Sequence, residues 1–161
     1  MGERIRPIES RDVAEVADLS VRAWAPVFDS MRTVLGERVF TRLYPDWRKA
    51  QHDAVRDVCL SETMSVWVSV DDEDCPVGFV AVLRHDDGSA AIDMLAVDPA
   101  AQRAGLGTAL TRHAINWMRD HDITLAIVET GNDPGHAPAR RTYEGAGFTK
   151  MPIARYFMVL S

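Results

Sequence analysis

Cysteine is scarce in this chain: Cys59 and Cys75 are the only two among 161 residues. Neither sits in a CxxC or Cys/His spacing, which argues against a disulfide scaffold or a zinc finger and makes a reducing, cytoplasmic setting the default. The histidines show no HExxH and no other ligand spacing, so no metal is expected. Long apolar runs are also missing. No stretch is long enough to cross a bilayer, and Met1–Ile8 does not read as a cleavable leader. Basic charge is in deficit, with 18 Lys and Arg against 24 Asp and Glu and a net charge of −6. A protein that grips nucleic acid by its phosphates needs the opposite sign. Neither nucleic acid nor a membrane is therefore an expected partner, and an acidic balance suits a cationic substrate such as an amine better than a polyanion.

What is present is an ordinary globular composition, 47% apolar and 26% charged, at the length of one domain. Residues 3–161 read as a single unit without repeats or linkers. Glu3–Pro7 suits a short edge strand. Ser10 stands where an N-cap belongs, and Val13, Val16, Ala17, Ser20 and Trp24 follow at helical spacing. Pro26 is expected to break that helix, with a second stretch running from Val27 to a stop at Gly36. Val39–Leu60 predicts one or two more helices jointed at Pro45. From Thr63 the period changes to two. Strands are expected at Met64–Val70, Val77–Leu83 and Ala90–Val97, the last two joined by a turn at the Asp87-Gly88 pair. Leu106, Leu110, Ala114 and Trp117 then mark a helix. Ile123–Glu129 is almost wholly apolar and predicts a strand buried on both faces, parallel to Ala90–Val97 with a right-handed crossover. A short helix at His136–Gly145 and a returning antiparallel strand at Ile153–Leu160 complete the pattern. The class is α/β, of the α+β type.

Chemistry concentrates between Leu95 and Thr108. A strand runs into a turn whose glycines, Gly105 and Gly107, open a helix. Glycine reaches backbone angles barred to other residues, so several amides can converge on one point at the positive end of the helix. Such a turn binds an anion, and phosphate is the natural one. A P-loop is not formed, because Gly107-Thr108 lacks the lysine. A dinucleotide turn wants a small residue where Leu110 stands; Glu129 could serve as its distal acid, but the antiparallel meander upstream counts against that reading.

The stretch resembles the GNAT superfamily, the Gcn5-related N-acetyltransferases. Their Gln/Arg-x-x-Gly-x-Gly/Ala motif after a Leu-x-Val strand end reads here as Leu95-Ala96-Val97, then Gln102-Arg103-Ala104-Gly105-Leu106-Gly107. A second motif, Asn-x-x-Ala-x-x-x-Tyr-x-x-x-Gly-Phe, is matched at Ala139, Tyr143, Gly147 and Phe148, with His136 in place of the asparagine. The resemblance implies a GNAT fold: a mixed central sheet with an antiparallel meander, a βαβ unit, and N-terminal helices covering the acceptor side.

It also implies acetyl-CoA as co-substrate and an amine as acceptor. Carried onto this chain, the amides of Arg103, Ala104, Gly105, Leu106, Gly107 and Thr108, with Gln102, would hold the pyrophosphate. Leu95, Ala96 and Val97 would pair with the pantetheine arm, and His136 and Tyr143 would touch the coenzyme. The Val97 amide would receive the oxyanion, and Tyr143 would protonate the departing sulfur. Glu129 leads the candidates for general base, ahead of Asp93 and His136. Trp24, Phe28 and Trp47 are packing residues or walls of the acceptor pocket, with Asp93 nearby. Relatives often dimerise through C-terminal strands, which admits a homodimer through Tyr156, Phe157 and Met158. The rival reading is a non-catalytic acyl-CoA-binding module that keeps the fold without the chemistry.

Overall fold

The computed structural model describes residues 4–161; Glu3, the expected start of the first strand, lies outside them. The strands are β1 (Arg4–Pro7), β2 (Met64–Val70), β3 (Pro76–Arg84), β4 (Ser89–Val97) and β5 (Leu125–Val128), and they form one sheet in that order. All neighbours are antiparallel except β4 and β5, which are parallel around the intervening helix. The helices are α1 (Val13–Leu35), α2 (Glu37–Leu43), α3 (Trp47–Leu60), α4 (Leu106–Asp120) and α5 (Ala137–Gly145).

Alternation along the central strands divides the core. Val66, Val68, Phe79, Ala81 and Ala96 face Val16, Ala17 and Leu19 of α1 and Val55 of α3. Trp67, Val80, Val82, Ala90 and Ile92 face Leu106, Leu110, Ala114 and Met118 of α4. The sheet is thus covered on both sides, which is why its central strands carry apolar residues at both parities.

Four expectations change. Pro26 does not end α1, which runs on to Gly36. A proline inside a helix removes one hydrogen bond and costs about 3 kcal/mol, a loss that the buried face of a 23-residue helix offsets. Glu9 rather than Ser10 caps the start: its side chain and that of Asp12 close a reciprocal box ahead of a short 3-10 turn at Ser10–Asp12. Strand β5 is shorter than expected and only half-buried, with Leu125 exposed, because it is the edge of the sheet. Ile153–Leu160 is not a strand. A strand needs a second backbone to bond, and among the described residues none of the amides from Thr149 onward makes a backbone hydrogen bond. Ile153, Tyr156, Phe157, Met158 and Leu160 are exposed instead.

Candidate active site

The two parallel strands separate partway along their length. Register between β4 and β5 runs from Ser89↔Leu125 to Ile92↔Val128 and stops there, while β4 continues to Val97. The separation has a local cause. On the β3 side Val82 pairs with Ile92 and Ala81 with Met94, so Asp93 is an extra residue in β4. Such a bulge bends its strand, and it falls immediately after the last pair with β5. Asp93 is exposed.

Beyond the bulge, the direction of each amide follows from the ladder. The Asp98 N–H donates to the Val77 carbonyl at 2.8 Å. In an antiparallel pair, alternate residues bond the same neighbour, so Ala96 also turns its backbone to β3. Leu95 and Val97 turn theirs the other way, toward the gap left by β5. The Val97 carbonyl on that side accepts from the Gln102 side chain at 3.1 Å. Gln102 therefore ties the turn to the end of β4.

The turn itself is held open. Pro99–Ala101 forms a 3-10 turn capped by Asp98, whose carboxylate accepts from the Ala100 amide at 2.9 Å. Arg22 of α1 reaches across to Asp98 at 2.5 Å. Burial pushes the Asp98 carboxyl up, but the Arg22 and Ala100 hydrogen bonds outweigh it and hold it below the usual range. Arg103 at φ 72° and Gly105 at φ 81° adopt left-handed backbone, and Gly105 caps α4. The first backbone bond of that helix is made by Ala109 to Gly105. Among the described residues, the amides of Arg103 through Thr108 have no backbone partner. Gln102, Arg103, Ala104, Gly105 and Thr108 are exposed, and Leu106 anchors the turn in the core. A Cβ at Gly107 would meet nothing within 4 Å. Unpaired amides at an uncovered helix start are what an anion site requires.

Tyr143 lies on α5 and is buried, its ring edge-on to Phe148 at 6.0 Å. Burial pushes the phenol up to about 12, so it stays protonated at neutral pH. Its hydroxyl has no hydrogen-bond partner among the described residues. Glu129 sits one residue past β5 and is exposed, with no side-chain partner among the described residues. The thiols are not nucleophiles in waiting: burial holds Cys59 up at about 12, and Cys75 is raised as well, by desolvation and then by neighbouring carboxylates.

The aromatic residues of the N-terminal helices gather elsewhere. Phe28 stacks on Trp47 with ring centres 4.3 Å apart and meets Tyr44 edge-on at 5.3 Å. Phe28, Tyr44 and Trp47 wall a cavity of about 590 Å³, while Trp24 packs partly buried between this cluster and the core. At 3.6 residues per turn, Phe28 lies about 200° around α1 from Ser30, and it is Ser30 that touches the loop between β5 and α5. That loop holds a residue the sequence reading did not single out. Asp133 accepts from Ser30 at 2.6 Å and pairs with His136. An Asp-Pro-Gly run ahead of a helix was its only local signal.

An uncovered amide turn beside a β4 edge freed by a bulge is a geometry for a long anionic ligand with an extended arm. The model of the acetyltransferase (GNAT) family matches residues 29–148, and the chain belongs to that family. It is 32% identical over 77 residues to a mycothiol acetyltransferase of Thermomonospora curvata, an alignment covering 48% of this chain and 25% of that protein. The match thus spans about a quarter of that relative's length. Among solved structures, the ribosomal-protein-S18-alanine N-acetyltransferase of Escherichia coli superposes with a TM-score of 0.69 at 21% identity, covering 99% of this chain and 86% of that one. The structure of AAC(6')-Iy in complex with the bisubstrate analogue CoA-S-monomethyl-acetylneamine superposes with a TM-score of 0.66 at 12% identity, covering 100% of both chains. At these identities the structural likeness concerns the fold. Among the described residues, no cluster of His, Cys, Asp or Glu is arranged to hold a metal, and no helix is long and apolar enough to cross a membrane.

Proposed function

We infer that this chain transfers the acetyl group of acetyl-CoA to a primary amine by direct attack in a ternary complex. The observation that carries the reading is the uncovered turn at Arg103–Thr108, with its unpartnered amides, beside the freed backbone of Leu95 and Val97. The amides take the pyrophosphate, and the β4 edge takes the pantetheine arm as an added strand would be taken. Turning toward the gap, the Val97 N–H is available to an oxyanion developing on the thioester carbonyl. One such donor is worth about 3–4 kcal/mol of barrier.

The amine attacks the carbonyl carbon, the C–N bond forms, and the C–S bond breaks. Tyr143, held protonated by its burial, donates to the departing sulfur, and the proton shed by the new amide nitrogen restores the phenol. A covalent acyl-enzyme is not part of the reaction, in keeping with two thiols held in their protonated form. An acceptor that arrives as an ammonium needs a base, and Glu129, Asp93 and His136 are the groups at hand. The acting unit is the whole of residues 3–161, and the setting is the cytoplasm. Exposed apolar side chains at Tyr156, Phe157 and Met158 support pairing of two copies as a homodimer.

The test is a panel of amines assayed for release of the CoA thiol, run beside thermal unfolding with acetyl-CoA, NAD and ATP. Acetyl-CoA is expected to raise the melting temperature alone, with thiol release on at least one amine. Equal stabilisation by NAD would overturn the assignment. Binding without turnover on any amine would favour the acyl-CoA-binding module.

A further inference from the structure

The loop from Gly131 to His136 is packed to contact and fastened at several points. Asp133 accepts from the Ser30 hydroxyl at 2.6 Å and, through its other oxygen, from the His136 ring at Nδ1. The Gly135 amide donates to Ser30 Oγ at 2.9 Å and to Asp133 at 3.1 Å. Arg140 donates to the carbonyls of Gly131 and Asp133 at 2.7 and 2.8 Å. The two glycines admit no side chain: a Cβ at Gly131 would lie 2.5 Å from His136 Nδ1, and one at Gly135 would lie 2.6 Å from the Ser30 Cβ. This is more fastening than a helix start requires.

The arrangement decides which ring nitrogen carries the proton. An ionised carboxylate only accepts hydrogen bonds. Burial raises the Asp133 carboxyl, yet the bonds from Ser30 and His136 prevail and keep it ionised. In the neutral ring the proton of His136 is therefore on Nδ1, which leaves the lone pair on Nε2. No described residue bonds Nε2, and it is not among the buried atoms lacking partners. A histidine oriented by a carboxylate with its other nitrogen free is the arrangement of a general base.

Its position suits the task. His136 ends the 3-10 turn that leads into α5 and caps that helix seven residues before Tyr143. A cavity of about 440 Å³ opens against the same loop, bounded by Pro26, Asp29, Ser30 and Val34 of α1 and by Pro134 and Gly135. Asp29 at its rim supplies a negative charge for an ammonium.

We propose that His136, oriented by Asp133, is the group that deprotonates the acceptor amine, which enters through the cavity between α1 and this loop. The inference rests on the acetyl-transfer reading above. Nε2 takes one proton from the ammonium, giving a neutral amine and an imidazolium balanced by Asp133. The amine then attacks the thioester. Of the three ammonium protons, one passes through His136 to solvent, one replaces the proton that Tyr143 gives to sulfur, and one stays on the amide. Two charged groups are fastened into this loop, Asp133 on the imidazole itself and Arg140 of α5 on the Gly131 and Asp133 carbonyls, while Asp29 of α1 stands at the cavity rim beside Gly135.

The test uses His136→Asn and Asp133→Asn in the full chain, with the best acceptor of the amine panel. Asparagine at 136 keeps an N–H for Asp133 but has no lone pair for a proton. A general base contributes about 10²–10⁴-fold, so His136→Asn is expected to lower kcat about 100-fold or more at pH 7 at saturating acetyl-CoA. The deficit should shrink as pH approaches the ammonium's own pKa, where the amine arrives neutral. Asp133→Asn takes away the carboxylate that orients the ring, so kcat should fall, and the double variant should lose little more than His136→Asn alone. Turnover of His136→Asn within threefold of the parent, on an unchanged pH profile, would reduce His136 to a cap. Fully additive losses in the double variant would reduce Asp133 to a latch. No thiol release from the parent itself would overturn the acetyl-transfer reading, and this inference with it.

Discussion

Replacing Gly105 by alanine separates a phosphate-binding turn from an ordinary helix start. Gly105 caps α4 at φ 81°, ψ 8°, where an L-residue is strained by about 1–2 kcal/mol. For a domain of 161 residues, each kcal/mol moves the melting temperature by about 2–4 °C. The variant should therefore melt roughly 2–8 °C lower. Gly36, between α1 and α2, is the matched control. It stands at φ 77°, ψ 158° with nothing within 4 Å of an added Cβ, so Gly36→Ala also costs about 1–3 kcal/mol of strain, away from the turn. The difference should appear in binding. If relief of strain at Gly105 swings one or two amides off the pyrophosphate, charge-assisted bonds of about 1.5–3 kcal/mol each are lost. At about 1.4 kcal/mol per tenfold, coenzyme affinity should fall by at least tenfold. Calorimetry of acetyl-CoA with both variants, beside thermal unfolding, makes the measurement. Equal melting losses with unchanged affinity in Gly105→Ala would refute the expected coupling between the strain of this turn and coenzyme binding.

Two further predictions concern the acid and the stability of the N-terminal corner. Tyr143→Phe keeps the ring packed on Phe148 and removes only the hydroxyl, so kcat should fall about 100-fold or more while acetyl-CoA affinity holds; unchanged turnover would remove Tyr143 from the reaction. Arg6 bonds the nearly buried Asp12 at 2.7 Å, so Arg6→Ala strands a buried charge and should cost about 3 kcal/mol in urea unfolding. Burial raises the Asp12 carboxyl, but Arg6 and the Glu9 amide overcome this and lower it. Its contribution is thus present above the ordinary carboxylate range and lost as pH falls through its depressed value, so the cost of Arg6→Ala should shrink below about pH 4. A cost that persists undiminished in acid would rule out the ion pair as its source.

Much of the fold was legible because it is written locally. The meander is a run of period-two strands around an Asp-Gly turn, and α4 announces itself by spacing. The break between α2 and α3 falls at Pro45 as expected. The family, too, could be read from the Gln102–Gly107 motif and the Tyr143–Phe148 tail. Misreadings arose where a distant partner decides the outcome. Pro26 reads as a helix stop, and only the packing of α1 against the sheet carries the helix through it. Ile123–Glu129 reads as a central strand because apolar composition cannot say which strand ends up at an edge. Ile153–Leu160 has the composition of a strand, but composition supplies no second backbone.

The site divides along the same line. Glycine at 105 and the order of residues from Leu95 to Thr108 already determine a left-handed helix start with spare amides, since that conformation depends on the turn's own backbone. Tertiary structure alone decided which way the amides of Leu95 and Val97 point, because this follows from pairing with β3 and from the bulge at Asp93. It alone brought Asp133 between Ser30, about a hundred positions earlier, and His136. A hydrogen bond across that separation leaves no periodicity in the chain; it exists only once α1 and the loop after β5 are packed together.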